Sequence, residues 1–267
     1  IDGIELKIAN ILSFTFFLGW NAWSKFGLKD KYYGDRTTYI TPASWAFLIW
    51  HVIHLLLLGT IIYQFTPSGK RVIIDSIGWR FPLLTVLNTV FVGLRATHQW
   101  VSSFVFALLV YSSVTHIYYI VKKRHAAPNL GDEIYIHLPF SLWHAWSTFI
   151  VIVAAFEAFG IPTYYTAGIA TEVLVFLSLL FLEFTAIYYA FSTKDGDLPG
   201  AVVIFWSIWA VLDRQGWRND FIYWSAFGFA ILSLVWIVRG GVRLFRRIRE
   251  RSIALDEAER APLLPDP

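Results

Sequence analysis

The side chains of this 267-residue chain that could do chemistry are seven histidines and a few carboxylates lying within apolar runs. His51 and His54 stand at i and i+3, a spacing that lets two imidazoles share one ligand on a helix face. That pair admits three readings: interhelical hydrogen bonds, a proton or substrate relay, or a metal site. A catalytic zinc needs a third protein ligand and an open position. His98, His144, Glu172 or Glu183 would have to supply it, and no H-E-x-x-H spacing exists. Glu172 and Glu183 lie three helical turns apart and so share a face, which suits a proton relay. Phosphate-cradling glycine loops and a G-x-S-x-G elbow are absent, and with no cysteine in the chain thiol chemistry and thiolate metal sites are excluded. No residue is assigned a catalytic or metal-binding role, and an enzyme is the less favoured class.

The elements that must position these groups are membrane helices. The chain is 57% hydrophobic and 15% charged, against about 25% charged in soluble domains. From Trp45 to Tyr63 no Asp, Glu, Lys or Arg occurs, close to the ~20 residues needed to cross a ~30 Å hydrocarbon core. Thr41 is expected to cap this helix, with Pro42 in its first turn. Long uncharged runs predict helices near 8–24, 43–65, 81–94, 99–121, 138–156, 161–182, 198–212 and 221–238. The fold class is therefore all-α, a polytopic bundle of about eight spans. Polar groups at membrane depth should face its interior: Ser44, His51 and His54 on the second helix, Thr85, Asn88 and Arg95 on the third, Ser141, His144 and Thr148 on the fifth. Glu157, near Gly160 and Pro162, is expected to snorkel to an interface.

The net charge of +3 does not indicate nucleic acid, because the basic residues flank membrane helices and orient them against anionic lipid. With eight spans most Lys and Arg residues fall on the side of the Arg-rich C-terminal segment, which predicts a cytoplasmic C-terminus. Beyond Arg251 the chain turns acidic and then proline-bearing, as expected of a disordered tail following a frayed helix.

The segment TPASWAFLIWHVIHLLLLG resembles the signature of the translocator protein family, also called tryptophan-rich sensory proteins or peripheral benzodiazepine receptors. Asn21-Ala22-Trp23-Ser24, Leu87-Asn88 and Leu138-Pro139-Phe140-Ser141-Leu142-Trp143-His144-Ala145-Trp146 continue the likeness in order. Pro42 stands alone where many members have two prolines, and Phe91 replaces a frequent Trp. The resemblance implies a five-helix core over 1–159, three additional helices over 160–239 and a cytoplasmic tail over 240–267.

It also implies an aromatic pocket for a flat hydrophobic ligand, a tetrapyrrole, sterol or similar lipid, bound as ligand rather than cofactor, and a homodimer. Trp45, Trp50, His51, His54, Asn88, Trp143, His144 and Trp146 are the residues assigned to ligand, with Tyr39 to Pro42 as lid. Glu172 and Glu183 are the relay of an alternative, proton-coupled transporter; an intramembrane metal-dependent hydrolase is the third reading. Glu259, Leu263 and Leu264 resemble an acidic dileucine signal read by sorting adaptors, which implies an endolysosomal or vacuolar membrane of a eukaryote.

Overall fold

The computed structural model describes residues 3–26, 36–127, 129–191, 196–216 and 218–260, with 24–26 and 251–260 described by backbone alone. Nine helices follow one another among them: α1 (Ile4–Phe26), α2 (Ser44–Tyr63), α3 (Pro67–Ile77), α4 (Arg80–Ala96), α5 (Trp100–Arg124), α6 (Leu130–Phe159), α7 (Ile169–Phe191), α8 (Leu198–Gln215) and α9 (Asp220–Arg260). Every helix expected from the apolar runs is present. By length and composition α2, α5, α6, α7 and α9 can cross a membrane, and a sixth span arises if α3 and α4 count as one. That is fewer than the eight spans expected, because α1 and α8 carry too many polar residues to meet the same test: Asn10 and Asn21 on one, Ser207, Asp213 and Arg214 on the other.

The helix expected over 161–182 lies instead at Ile169–Phe191, and three other boundaries differ from expectation for identifiable reasons. Thr41 does not cap α2, since its hydroxyl accepts from the Thr38 backbone N–H (2.8 Å), and the Ala43 N–H is taken by the Ala210 carbonyl of α8 (2.8 Å). The helix starts at Ser44 with a tight 3₁₀ turn. α6 begins well before Pro139, and the turn over Glu133–His137 widens to π geometry. Pro139 lacks the N–H that a regular helix would use there, so the ladder is re-spaced just upstream. α9 continues as helix to Arg260, through residues 252–260 that were expected to belong to a disordered tail; its Arg- and Glu-rich stretch consists of good helix formers.

α3 was not anticipated. Val72, Ile73, Ile74 and Ile77 are buried while Lys70, Arg71, Asp75 and Ser76 point outward, so it is an amphipathic segment rather than a spanning one. Gly78, at φ 62°, turns the chain by the left-handed conformation a glycine tolerates, and α4 leaves at 69° to α3.

α6 is the axis of the bundle: 78% of its apolar stretch is inside the protein, against 22% for α9 at the edge. On one side of α6 pack α5 and α2, with α4 and α1 beyond; on the other, α8 contacts α6, and α7 and α9 pair with α8 and with each other. α7–α9 therefore form a three-helix layer joined to the α1–α6 body chiefly through α8.

Candidate functional site

The aromatic centre is built on α6. Trp143 and Trp146, at i and i+3, point into the α1–α6 body and are fully buried. Trp143 stacks on Phe17 of α1 (5.6 Å between centroids) and meets Trp50 of α2 edge-on (5.9 Å), while His54 lies against both Phe17 (5.0 Å) and Trp50 (5.4 Å). Trp146 packs edge-on to Phe47 (5.5 Å). These offset and edge contacts are the favoured geometries of aromatic quadrupoles.

Two small voids adjoin this centre. One is lined by Trp50, Asn88, Phe91, Ala107, Trp146 and Ile150, among others, and the second by Phe47, Trp50, Phe91, Val92, Arg95 and Ile150. They share Trp50, Phe91 and Ile150, and each measures about 10 Å³, room for about one water. The Asn88 Nδ2 and Trp146 Nε1 donors, on residues lining the first void, are buried without an acceptor. Trp143 Nε1 and Ser141 Oγ share that condition close by. Buried donors normally find partners, so each of these is a place where another molecule could supply an acceptor.

The polar stripes fare unequally. Thr85, Asn88 and Arg95 are buried as expected, as are Ser141, His144 and Thr148. Ser44 and His51 are exposed, while His54 is half-buried with its Nε2 inside, so of the proposed polar face of α2 only His54 reaches the interior. Trp45 is also displaced from the voids: its indole N–H donates to Asp213 of α8 (2.7 Å) and its ring meets Trp206 edge-on (4.7 Å). His144 points away from the tryptophans that flank it. It contacts the Tyr189 hydroxyl of α7, binds Thr115 Oγ1 of α5 (3.0 Å) and stacks on Tyr118 (4.4 Å).

Glu172 accepts from Asn219 (2.8 Å), and Glu183 accepts from Ser233 and Trp236 (both 2.6 Å), contacts internal to the α7–α9 layer. The two glutamates and the two α2 histidines therefore do not meet in one relay. Among the described residues no three His, Asp or Glu side chains are grouped to hold a metal ion. Leu263 and Leu264 lie outside the described residues, as does the side chain of Glu259.

Two features escaped the sequence reading. Glu157 does not snorkel: it is buried and paired with Arg95, whose Nη2 reaches Oε1 at 2.6 Å and whose Nε reaches Oε2 at 3.0 Å. An Arg at the end of one helix and a Glu at the end of another, both lacking a local partner, were the available signal. The second is the seam to α8. Besides the Trp45 and Ala43 bonds, Trp206 Nε1 donates to the Ala46 carbonyl (3.0 Å) and Gln215 Nε2 to the Thr38 carbonyl (3.2 Å). Tyr39 donates to the Tyr165 carbonyl (2.7 Å), and Thr163 N to the Thr37 carbonyl (2.9 Å). The segment expected to act as a lid is thus pinned by α8 and the α6–α7 connection.

No curated protein and no solved structure matches this chain. A family model does, the one described as TSPO-like protein, over residues 7–239. That match takes in α7, α8 and the first half of α9 as well as the signature segment of α2, so α8, which pins the lid, lies within the family's span. The chain is a membrane protein belonging to the TSPO-like family.

Proposed function

We propose that this protein is a membrane receptor or transporter that binds a flat hydrophobic ligand, a tetrapyrrole, sterol or similar lipid, between α2, α4 and α6. The observation that carries this reading is the pair of orphaned donors, Asn88 Nδ2 and Trp146 Nε1, beside one aromatic-walled void. A ligand with an apolar ring system and one acceptor oxygen satisfies both features. Ring faces of Trp50, Phe91 and Trp146 supply contact area, and the two N–H groups supply orientation. The voids are far smaller than the ~300 Å³ of a ligand pocket, so binding requires the shared wall, Trp50, Phe91 and Ile150, to move apart. Titration of the purified protein with protoporphyrin, read by tryptophan quenching, tests this. Saturable quenching that weakens about tenfold in Asn88→Leu, the loss of one oriented hydrogen bond to a ligand, supports the reading; quenching indifferent to that change removes it.

Supporting a cytoplasmic C-terminus is the run of Arg239, Arg243, Arg246 and Arg247 at the end of the last apolar stretch. On that side Glu259, Leu263 and Leu264 would be open to a sorting adaptor, giving an endolysosomal or vacuolar address. Replacing Leu263 and Leu264 by Ala should redirect a fluorescent fusion to another membrane; an unchanged distribution removes the address.

A further inference from the structure

From Phe221 to Val238, α9 has no Asp, Glu, Lys or Arg, about 27 Å of helix and so close to one hydrocarbon thickness. Arg239 is the first charge beyond it. Its guanidinium lies over the ring of Trp236 (5.9 Å), and the Trp236 indole is itself fixed by its bond to Glu183 (2.6 Å). One residue on, Gly240 lies tight against the start of α8, where a Cβ would come within 2.7 Å of Leu198. The helix then continues without a break, and Val242, Arg243, Phe245 and Arg246 are exposed. A groove of about 560 Å³ follows this stretch, lined by Val238, Arg239, Val242, Arg243, Arg246 and Glu250, among others. Arg239, Arg243 and Arg246 stand at i, i+4 and i+7, on one helix face. Among the described residues none of the three forms an ion pair. Arg247 also borders the groove but has a partner of its own, and no role is given to it. Asp197, next to Leu198, is taken up by Tyr118 and Lys122.

Two features indicate what this groove takes. Its positive charge lies beside exposed apolar side chains, Val235 and Val238 below and Val242 and Phe245 above, where the apolar run ends. A lipid supplies headgroup charge and acyl chain together, whereas a soluble anion supplies only the charge. The three guanidiniums are also spread over about 10 Å of helix axis. The phosphodiesters of ordinary phospholipids share one depth, while a headgroup with further phosphomonoesters extends outward and meets guanidiniums at several depths. Each phosphomonoester brings about −1.5 to −2 charge and three acceptor oxygens, which guanidinium forks match. We propose that Arg239, Arg243 and Arg246 bind the headgroup of a polyphosphorylated membrane lipid. Arg239 meets the phosphodiester, Arg243 and Arg246 meet the phosphomonoesters, and the acyl chains lie beside Val235 and Val238. The inference is independent of the ligand-binding reading above and of the side on which α9 emerges.

The test uses the full chain in phosphatidylcholine nanodiscs, which expose both leaflets. They carry rising fractions of acyl-pyrene-labelled phosphatidylinositol bisphosphate or, at matched charge, phosphatidylserine with the same label, and energy transfer from tryptophan to pyrene is read. Wild type should reach half-saturation at about tenfold less of the bisphosphate lipid, the effect of one further charge-assisted contact. Arg243→Gln and Arg246→Gln should each raise that point about fivefold, the contribution of one basic residue at an anionic surface. Arg249→Gln, exposed but outside the groove, should raise it by less than about twofold. Equal half-saturation by the two lipids, or a loss in Arg249→Gln as large as in Arg243→Gln, overturns the site and leaves only general attraction to anionic surfaces. Soluble inositol trisphosphate at equal total concentration should displace little of the labelled lipid; full displacement overturns a lipid site in favour of a free polyphosphate.

Discussion

Around the carboxylates of the α7–α9 layer buried polar groups are matched, whereas at the aromatic centre of the α1–α6 body several are not. In the layer Glu183 is met by Ser233 and Trp236, Glu172 by Asn219, and Asp197 receives the Tyr118 hydroxyl (2.6 Å) with Lys122 Nζ at 3.5 Å. In the body Asn88, Ser141, Trp143 and Trp146 all keep a buried donor without a partner. A matched network rigidifies, whereas an unmatched donor costs stability unless another molecule supplies the acceptor. The contrast teaches that the layer acts as a clamp on the body and its lid segment, and it is the basis on which the ligand is proposed to bind in the body.

Breaking the buried ion pair inside the body should have the largest effect. Glu157→Ala removes the carboxylate paired with the buried Arg95 guanidinium, and should cost about 3–5 kcal/mol, read as unfolding in detergent. Replacing both partners by apolar residues of similar volume should recover most of that loss.

On the clamp, Asp197→Ala removes the acceptor of Tyr118 and the counter-charge of Lys122, and should cost about 2–3 kcal/mol. Because Asp197, Tyr118 and Lys122 line neither void, protoporphyrin affinity measured on the folded fraction should stay within twofold of wild type. A large fall in affinity with unchanged stability would invert the roles given to the two regions.

Gly200→Ala tests how closely α8 lies against α7. A Cβ there would come within 2.6 Å of the Tyr189 ring, and a core with no space to yield loses about 1–3 kcal/mol on such overpacking. Stability equal to wild type would show that the seam is loose.

The smallest expected change in stability is the most diagnostic. Asn88→Leu replaces an unmatched buried donor by an apolar group, so stability should remain within about 1 kcal/mol of wild type even as protoporphyrin affinity falls. Ser233→Ala, which removes one of the two donors to Glu183, should cost about 0.6 kcal/mol, typical of hydrogen bonds between membrane helices, and leave affinity unaltered.

The helices of this protein were legible because lipid demands long uncharged runs with every backbone group satisfied internally. α3 was not, since Lys70, Arg71 and Asp75 interrupt its apolar residues and no run reaches spanning length. Trp50, Asn88 and Trp146 were recognised through their place in the family signature, and the fold brings them to one void. Spacing alone failed for His51: it places Ser44, His51 and His54 on a common face, but says nothing about which way that face turns.

By itself, then, the amino-acid order determined the class of molecule, an all-helical membrane protein, along with its family and the succession of its helices. Only the tertiary structure decided that α8 pins the lid segment, that Glu157 meets Arg95, and that His144 faces Tyr189 rather than the tryptophans beside it. The physical reason lies in the solvent. Lipid tails are as apolar as a protein core, so a membrane helix carries little contrast between its inner and outer faces, and the pairing of faces is settled by packing and polar partners that no single helix contains.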